Sequence, residues 1–365
     1  MINYTKDEIA LMFLSTLEFI TAKHYEKISD LVNPVGKLLN KDFDVNILSQ
    51  VFKTNFENFA TEYKNFNQTT FLEILEKRTI KCITILSDNY PKKLLNLQDK
   101  PYVLYAVGNL ELLNTKSVAI VGARNPSTYG KLVTEKFAKT LAQNDITIVS
   151  GLASGVDKIS HEGALSVHGN TIAVLAGGFD HIFPAMNLNL AREIAKKGLI
   201  LSEHFVTHKP TKYSFPIRNR IIAGLSDAVL ITEAGKKSGS LYTSEFATEV
   251  GINTYCIPGN ITNELSYSTN NLIKNGGAAC ATSPDDILCV FGVTKSKENK
   301  KFSKQEQFTI QETAIINLLG SEEKDFLFLQ EKTGFSTQEL NFSLTSLEIR
   351  GIIKKLAGNM FILCD

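Results

Sequence analysis

Between residues 80 and 290, short runs of β-branched residues alternate with amphipathic segments long enough to be helices. This alternation predicts a mostly parallel β-sheet with helices on both faces. Strands are predicted at 83–86, 118–121, 146–149, 172–175, 199–201, 228–231 and 254–257, and helices are predicted to begin near Gly130, Asp157, Asn187, Ile217 and Leu241. Ligands of such sheets bind at the carboxyl ends of the strands, so we expect a site there.

The flanking segments have different patterns. Residues 1–75 have apolar positions at helical spacing, such as Leu11 and Leu14, and predict a small helical domain. A polar, lysine-rich stretch follows the predicted sheet and indicates a linker. The last segment predicts three helices and a hairpin, which is the outline of a winged helix, with a capping box formed by Ser336 and Glu339. The predicted domains are therefore 1–75, 76–292, 293–305 and 306–365.

The predicted winged helix is acidic. Residues 306–365 contain five lysines and arginines against nine aspartates and glutamates. A surface with this balance is poorly suited to holding phosphates. We therefore expect a protein-docking or regulatory role for this segment rather than duplex recognition.

Cationic residues are concentrated in one window of an otherwise balanced chain. The composition is that of a soluble protein, and the net charge of +1 creates no long-range field that would attract nucleic acid or anionic membranes. Between Glu203 and Asp227, however, there is no acidic residue, while Lys209, Lys212, Arg218 and Arg220 all lie there. The window is either a solvated face or a local anion site.

Two segments of the sequence near this window, the arms at 215–220 and 237–240, favour the anion site. The first places Arg218, Asn219 and Arg220 just after Phe215, which offers a stacking face flanked by cations, as in sites for single-stranded nucleic acid. The second arm, at 237–240, is a Lys/Ser/Gly turn after an apolar strand, where backbone N–H groups and a helix N-terminus can hold a phosphate. A polyanion, and first of all nucleic acid, is the expected ligand.

Two further glycine-rich turns follow predicted strands. The turn at 122–130 precedes a helix and is predicted to cradle an anion, with Arg124 beside it. It matches neither G-x-G-x-x-G nor the Walker A pattern, so ATP hydrolysis is not expected. In the turn at 150–157, Asp157 and His161 lie one helical turn apart. They are either an acid/base pair or a helix cap beside a packed histidine, and the second interpretation is favoured because no nucleophile or metal set accompanies them.

No residue pattern indicates a cofactor, metal or membrane segment. The five cysteines have no metal-ligand spacing, and their odd number argues against a disulfide framework. Asp7 and Glu8 stand where a signal peptide would be positively charged, and the apolar run at 9–20 is too short to span a bilayer. We expect a cytoplasmic protein without a metal or cofactor.

In sequence order, these motifs resemble the DNA-processing protein A family (DprA, also called Smf). The resemblance covers about residues 80–290 and combines several motifs, which makes chance agreement very improbable. The matching motifs are Asp88-x-Tyr90-Pro91, the run from Val118 to Arg124 with Tyr129-Gly130, the run from Ser150 to Asp157 with His161, Phe215-Pro-x-Arg-Asn-Arg-Ile-Ile222, Glu233-Ala with Lys237-Ser-Gly-Ser-Leu241, Pro258-Gly259 and Asn270-x-Leu-Ile273.

The resemblance implies an extended Rossmann-like domain that binds single-stranded DNA in a basic pocket without hydrolysing it. It also implies protection of incoming strands in natural transformation, loading of the RecA recombinase, and self-association through the Rossmann-like domain. By the resemblance, Gly122, Ala123 and Arg124 hold phosphates, while Lys212 and Phe215 grip the backbone and a base. The full set of candidate DNA-binding residues is Gly122, Ala123, Arg124, Ser150, Gly151, Lys212, Phe215, Arg218, Asn219, Arg220, Lys237, Ser238, Gly239 and Ser240, and no residue is assigned as catalytic.

Two other functions remain open from the sequence. Nucleotide phosphoribohydrolases of the cytokinin-activating type have a related fold, but they carry a P-G-G-x-G-T turn that is absent here, and Glu245 lies five residues beyond Ser240. The chain could instead be a nucleotide-sensing module whose acidic winged helix recruits a partner.

Overall fold

The computed structural model describes residues 4–40, 42–293, 308–320, 322–356 and 358–364. The chain divides into two compact units, Met1–Thr294 and Lys295–Asp365. Of the predicted linker over 293–305, residues 294–305 lie outside the described residues.

Helices and strands alternate through most of the first unit, with short 3-10 turns between several of them. Its helices are α1 (Lys6–Ser15), α2 (Ala22–Leu31), α3 (Ser49–Phe52), α4 (Phe56–Asn65), α5 (Gln68–Lys77), α6 (Thr128–Gln143), α7 (Val156–Ser166), α8 (Leu188–Lys197), α9 (Ser214–Leu225), α10 (Ser240–Glu249), α11 (Tyr267–Lys274) and α12 (Asp285–Leu288). Its strands are β1 (Lys81–Thr84), β2 (Val103–Gly108), β3 (Ser117–Val121), β4 (Thr147–Ser150), β5 (Thr171–Val174), β6 (Leu199–Ser202), β7 (Ala228–Ile231), β8 (Asn253–Cys256) and β9 (Ala279–Cys280).

These strands form one sheet, in the order β1-β2-β6-β5-β4-β3-β7-β8-β9 within the described residues. The seven strands from β6 to β9 in this order run parallel, whereas β2 pairs antiparallel with both β1 and β6. The chain moves outward from β3 to β6 and then returns to β7 on the other side of β3. A crevice is expected between the carboxyl ends of β3 and β7, because this is the switch point of the sheet.

Alternate residues of each central strand pack into opposite cores. In β3, Val118 and Ile120 face the core formed with α6 and α7, while Ala119 and Val121 face the core formed with α9. Apolar residues at successive positions of a strand are typical of a sheet covered on both faces. The predicted fold class, a mostly parallel Rossmann-like sheet between helical layers, is confirmed.

The predicted strands and helix starts agree closely with the structure, and two strands were missed. Each predicted strand overlaps an observed one, and each predicted helix begins within three residues of its position. The missed strands of this unit are β2, which pairs antiparallel with β6, and β9, which is the last strand of the parallel part.

The helical segment at the N-terminus packs directly onto the sheet. Phe13 of α1 shares a buried core with Val103 and Tyr105 of β2. The Ser15 and Tyr105 hydroxyls lie 2.6 Å apart, and the Cys82 amide of β1 donates to the Tyr4 hydroxyl at 3.0 Å. Residues 1–75, predicted as a separate small domain, therefore belong to the first compact unit, because they complete its core.

The second unit contains three helices and a hairpin, as predicted, and one further strand, β10 (Lys324–Asp325), that was not predicted. The predicted elements are α13 (Ile310–Leu319), α14 (Phe326–Thr333), α15 (Thr337–Ile349), β11 (Ile353–Leu356) and β12 (Met360–Leu363), with β12 between β10 and β11. The predicted capping box of α15 is present, since the Ser336 hydroxyl accepts from the Glu339 amide and the Glu339 carboxylate accepts from the Ser336 amide. The protein-docking role of this unit stays a prediction.

Candidate nucleic-acid interface

A cleft of about 430 Å³ opens at the carboxyl ends of β3 and β7, at the switch point of the sheet. Its lining residues are Val121, Gly122, Arg124, Ala153, Asp157, Lys212, Phe215, Pro216, Arg218, Asn219, Lys237, Ser238, Gly239 and Ser240. Ten of the predicted site residues are thus brought together here. The other four, which do not line the cleft, are Ala123, Ser150, Gly151 and Arg220.

Three cations at the cleft are exposed to solvent. Arg124 follows β3, Lys212 precedes α9 and Lys237 precedes α10. Among the residues that the structure describes, none of the three forms an ion pair with a carboxylate. Unpaired cations on three elements around one cleft form a local site for a polyanion, although the whole chain is nearly neutral.

Aromatic rings lie beside two of these cations. The Arg124 guanidinium carbon is 5.6 Å from the centre of the Phe215 ring, and the Lys212 ammonium nitrogen is 4.9 Å from the centre of the Tyr213 ring. Phe215 is partly exposed and Tyr213 is 66% exposed. Aromatic faces interleaved with cations suit a strand that presents bases and phosphates alternately.

The N-terminus of α10 also lies at the cleft. Its cap residue is Gly239, which has no capping side chain, and within the turn the Ser238 hydroxyl accepts from the Ser240 amide at 3.4 Å while the Ser238 carbonyl accepts from the Leu241 amide at 3.2 Å. The helix dipole at such an end favours an anion. Phosphate binding by the turn at 237–240 stays a prediction.

Asn219 connects the two sequence arms. Its side-chain amide donates to the Gly239 carbonyl at 3.1 Å, and its side-chain oxygen accepts from Arg218 Nε at 3.2 Å. The polar groups of Asn219 thus hold the α10 turn against α9. Its place in the cleft wall is as predicted, but its contacts are structural.

Arg218 is a buried bridge between strands. It is 5% exposed, and its Nη1 donates to the Gly151 carbonyl at 2.6 Å and also to the Val174 carbonyl. A Cβ at Gly151 would overlap the guanidinium. Arg218 lines the cleft, but its Nη1 holds the ends of β4 and β5, so a DNA contact by this residue stays a prediction. Gly151 provides the room for this approach.

Arg220 belongs to a different surface. It is 5% exposed, and its Nη2 donates to both Glu203 oxygens at 2.7 and 2.6 Å, while its Nε lies 3.4 Å from Asp99. It lines a separate cavity of about 520 Å³, whose wall also contains Glu18. The assignment of Arg220 to the DNA site is wrong in this structure, because the carboxylates of Glu203 and Asp99 already neutralise it.

Glu233 occupies the first predicted anion cradle. Its buried carboxylate accepts from the Ser127 amide at 2.8 Å and from the Ser127 hydroxyl at 2.5 Å, and its backbone carbonyl accepts from the Ala123 amide at 2.8 Å. The Ser127 hydroxyl in turn caps α6 at Gly130. The protein's own carboxylate therefore fills the N-terminus of α6, and of the phosphate contacts predicted for this turn, that of Arg124 stays a prediction. Ala123 is buried with its amide already bonded.

Replacing Glu233 with alanine is expected to lower the free energy of unfolding by about 1–3 kcal/mol, because the Ser127 donors lose their acceptor in a buried site. Urea denaturation followed by far-UV circular dichroism would measure this loss. Glu233→Gln keeps a side-chain oxygen and should lose less. Equal losses in both variants would contradict the capping role.

Asp157 and His161 each have structural partners. The Asp157 carboxylate accepts from the amides of Gly151 at 3.1 Å and Ala153 at 3.3 Å. Burial raises the pKa of Asp157, with Arg218 opposing the rise, and burial lowers the pKa of Arg218 to about 10. His161 is fully buried, its Nδ1 lies 2.7 Å from the Thr171 hydroxyl, and burial lowers its pKa to about 3. The predicted helix cap is wrong, because the N-cap of α7 is Gly155 and Asp157 lies inside the helix, whereas the packed histidine fits these contacts.

Ser150 is also structural. Its hydroxyl donates to the Ile120 carbonyl at 2.7 Å, and the residue has no exposed surface. The hydrogen bond ties β4 to β3, and the side chain cannot reach a ligand without breaking it.

Phe183 was missed by the sequence interpretation. The ring is 54% exposed, and its centre lies 5.4 Å from that of Phe215 with the planes at 66°. It follows the glycine pair Gly177-Gly178, which comes shortly after β5. An aromatic next to Pro184 soon after a strand end was the available signal.

The described residues contain neither a metal-binding cluster nor a helix that could span a membrane. No group of three or more histidines, cysteines, aspartates or glutamates in the described ranges could hold a metal ion. None of the helices described in the structure combines the length and apolar character needed to cross a membrane.

Comparisons of the sequence with known proteins agree with one another. A family model described as DNA recombination-mediator protein A matches residues 81–292. The chain is 38% identical over 256 residues to the DNA processing protein DprA of Bacillus subtilis, a match covering 70% of this chain and 84% of that protein. It is 36% identical over 291 residues to protein Smf of Escherichia coli, covering 78% of each.

Comparisons of the structure give the same relatives. The X-ray structure of DNA processing protein A from Streptococcus pneumoniae matches with a TM-score of 0.67 and 34% identity, covering 79% of this chain and 98% of that one. DNA processing protein A from Helicobacter pylori, whose structure was described for its single-stranded DNA binding mode, matches with a TM-score of 0.53 and 37% identity, covering 58% and 95%.

Proposed function

This chain belongs to the DNA recombination-mediator protein A family, and from that premise we propose that it binds single-stranded DNA in the cleft between β3 and β7. The observation that carries the proposal is the set of three exposed cations, Arg124, Lys212 and Lys237, which have no carboxylate partner within the described residues and surround the partly exposed ring of Phe215. The Helicobacter pylori relative, described as binding single-stranded DNA, supports the choice of ligand.

The cleft has a distinct place for each part of a strand. The side chains of Arg124, Lys212 and Lys237 and the N-terminus of α10 meet phosphates. The ring of Phe215 meets a base, which needs no sequence preference because every base has a π face. Asp157, the acidic residue of the lining, is held by backbone amides and Arg218, so its charge is compensated before DNA arrives.

Fluorescence anisotropy of labelled oligothymidylate and of a matched duplex, titrated at several salt concentrations, tests this function. We expect salt-sensitive binding to the single strand and much weaker binding to the duplex. Equal affinity for both, or no binding to the single strand, would refute the proposed function.

The proposed activity is binding without chemistry. Incubation with nucleoside 5′-monophosphates should release no free base, since the side chains of Asp157 and His161 are engaged by the protein itself. Chromatography of the products would measure release, with Asp157→Asn as the matched control. Base release that the wild-type protein shows and this variant lacks would favour a phosphoribohydrolase instead.

The bound strand is then delivered to the RecA recombinase, in natural transformation or in recombination, by a protein whose copies associate through the first unit. The membership of a family described as recombination mediators supports this step. On a strand coated with single-strand-binding protein, addition of the chain should shorten the lag before RecA hydrolyses ATP. An unchanged lag would leave DNA binding as the whole activity.

A further inference from the structure

At one end of the cleft, the ring of Phe183 is more exposed to solvent than the neighbouring ring of Phe215. It is 54% exposed, whereas Phe215 is only partly exposed and has the Arg124 guanidinium 5.6 Å from its ring centre. The two rings are in edge contact, with centres 5.4 Å apart. Phe183 is thus continuous with the aromatic wall of the cleft, yet it lies outside the set of lining residues.

The segment that carries Phe183 is anchored on both sides. Before it, the Asp180 amide donates to the Val206 carbonyl at 3.0 Å. After it, the Asn187 side chain, 1% exposed, donates to the carbonyls of Leu152 at 2.8 Å and Ala153 at 3.2 Å. Ala153 is itself in the cleft wall. The ring is therefore held in position before any ligand binds, which reduces the ordering cost of binding.

The charges around Phe183 favour a nucleobase over an apolar protein surface. The nearest carboxylate in its own segment, Asp180, pairs with Arg78. On the side of Phe215 lie Arg124 and Lys212, which form no ion pair with a carboxylate of the described residues. An exposed aromatic ring beside uncompensated cations matches a ligand in which flat rings alternate with phosphates.

We propose that Phe183 forms a second base-stacking subsite, which receives the nucleobase next to the one on Phe215. The inference rests on the proposed function and names a further part of the same ligand. Because the two ring planes meet at 66°, bases stacked on both rings cannot stay stacked on each other. The pair therefore accepts adjacent bases only when they are unpaired and splayed apart, a condition that a duplex does not meet.

A tryptophan placed at this position reports on the subsite directly. The chain contains no tryptophan, so Phe183→Trp introduces a single indole fluorophore. We expect saturating oligothymidylate to quench its emission, because a base stacks on the ring. Leu86→Trp is the matched control, since Leu86 is 56% exposed and lies outside the cleft, and its emission should not change.

Affinity gives an independent measurement. Phe183→Ala should weaken binding of oligothymidylate about 5- to 150-fold, the range for loss of one stacked base. The salt dependence should stay as in the wild-type protein, because no charge is removed. Phe183→Tyr keeps the ring and should bind like the wild-type protein, which separates lost stacking from a disturbed fold.

The two levels of the proposal fail in different ways. If the wild-type protein binds the single strand while Phe183→Ala binds equally well, or if Phe183→Trp stays unquenched at saturation, the second subsite is refuted and the proposed function stands. If the wild-type protein does not bind the single strand, both are refuted.

Discussion

Replacing Arg124, Lys212 and Lys237 together with alanine is expected to weaken single-strand binding about 100-fold at 0.1 M salt. Each contact between a cation and a phosphate of a single strand contributes about 0.7 to the slope of log affinity against log salt, so three contacts contribute about 2. At 0.1 M this slope corresponds to about two decades of affinity relative to 1 M. Anisotropy at several salt concentrations would show both the lower affinity and the flatter slope.

A variant with the same change in net charge provides the control. Lys23, Lys27 and Lys64 are exposed lysines on the N-terminal helices, outside the cleft. Their triple alanine variant should bind nearly as tightly as the wild-type protein, with an unchanged slope. If both triple variants lost affinity equally, net charge rather than the cleft would explain binding.

Replacing Arg218 with alanine is expected to lower the free energy of unfolding by about 3–5 kcal/mol, because two buried carbonyls lose their donor and the buried Asp157 loses a nearby cation. The guanidinium bonds two strand-end carbonyls and lies near the buried Asp157. Urea denaturation would measure the loss. An Arg218→Ala protein of normal stability that no longer binds single strands would instead make Arg218 a phosphate ligand.

The loss should depend on pH in a defined direction. Burial raises the pKa of Asp157 in the folded protein and Arg218 opposes this, so the variant raises it further. At pH values above this pKa, the Asp157 carboxylate is charged without its nearby cation, and the full loss of unfolding free energy is expected. As the pH falls below this pKa, Asp157 becomes protonated and the loss of unfolding free energy becomes smaller. A second replacement, Asp157→Asn, should restore part of the stability of Arg218→Ala at neutral pH.

The sequence predicted the location of the cleft because the location follows from topology. Parallel strands end at one edge of a sheet, so the turns after 121 and 231 had to meet once the strand pattern was established. Arg124, Lys212 and Lys237 lie in those turns or just before a helix, where side chains reach solvent. Their placement needed only the order of elements.

Other assignments failed because they depended on helical phase or on distant contacts. Arg218 and Arg220 were grouped as one cationic arm, but residues two positions apart on a helix point to different sides. The Glu233 carboxylate accepts from Ser127, more than 100 residues earlier in the chain. No local sequence pattern indicates such a contact. Phe183 needed the folded contact with Phe215 to be recognised.

The ends of the nine-stranded sheet limit how two copies can meet. At one end β9 has only two residues, and at the other β1 has four and packs against α1 and α5. Short or covered edge strands offer few free backbone groups to a strand from another molecule. Pairing with a strand from another molecule, which could continue into a polymer, is therefore disfavoured at both edges of the sheet. We expect copies that associate through this unit to meet by packing of side chains, a contact that single substitutions can strengthen or weaken.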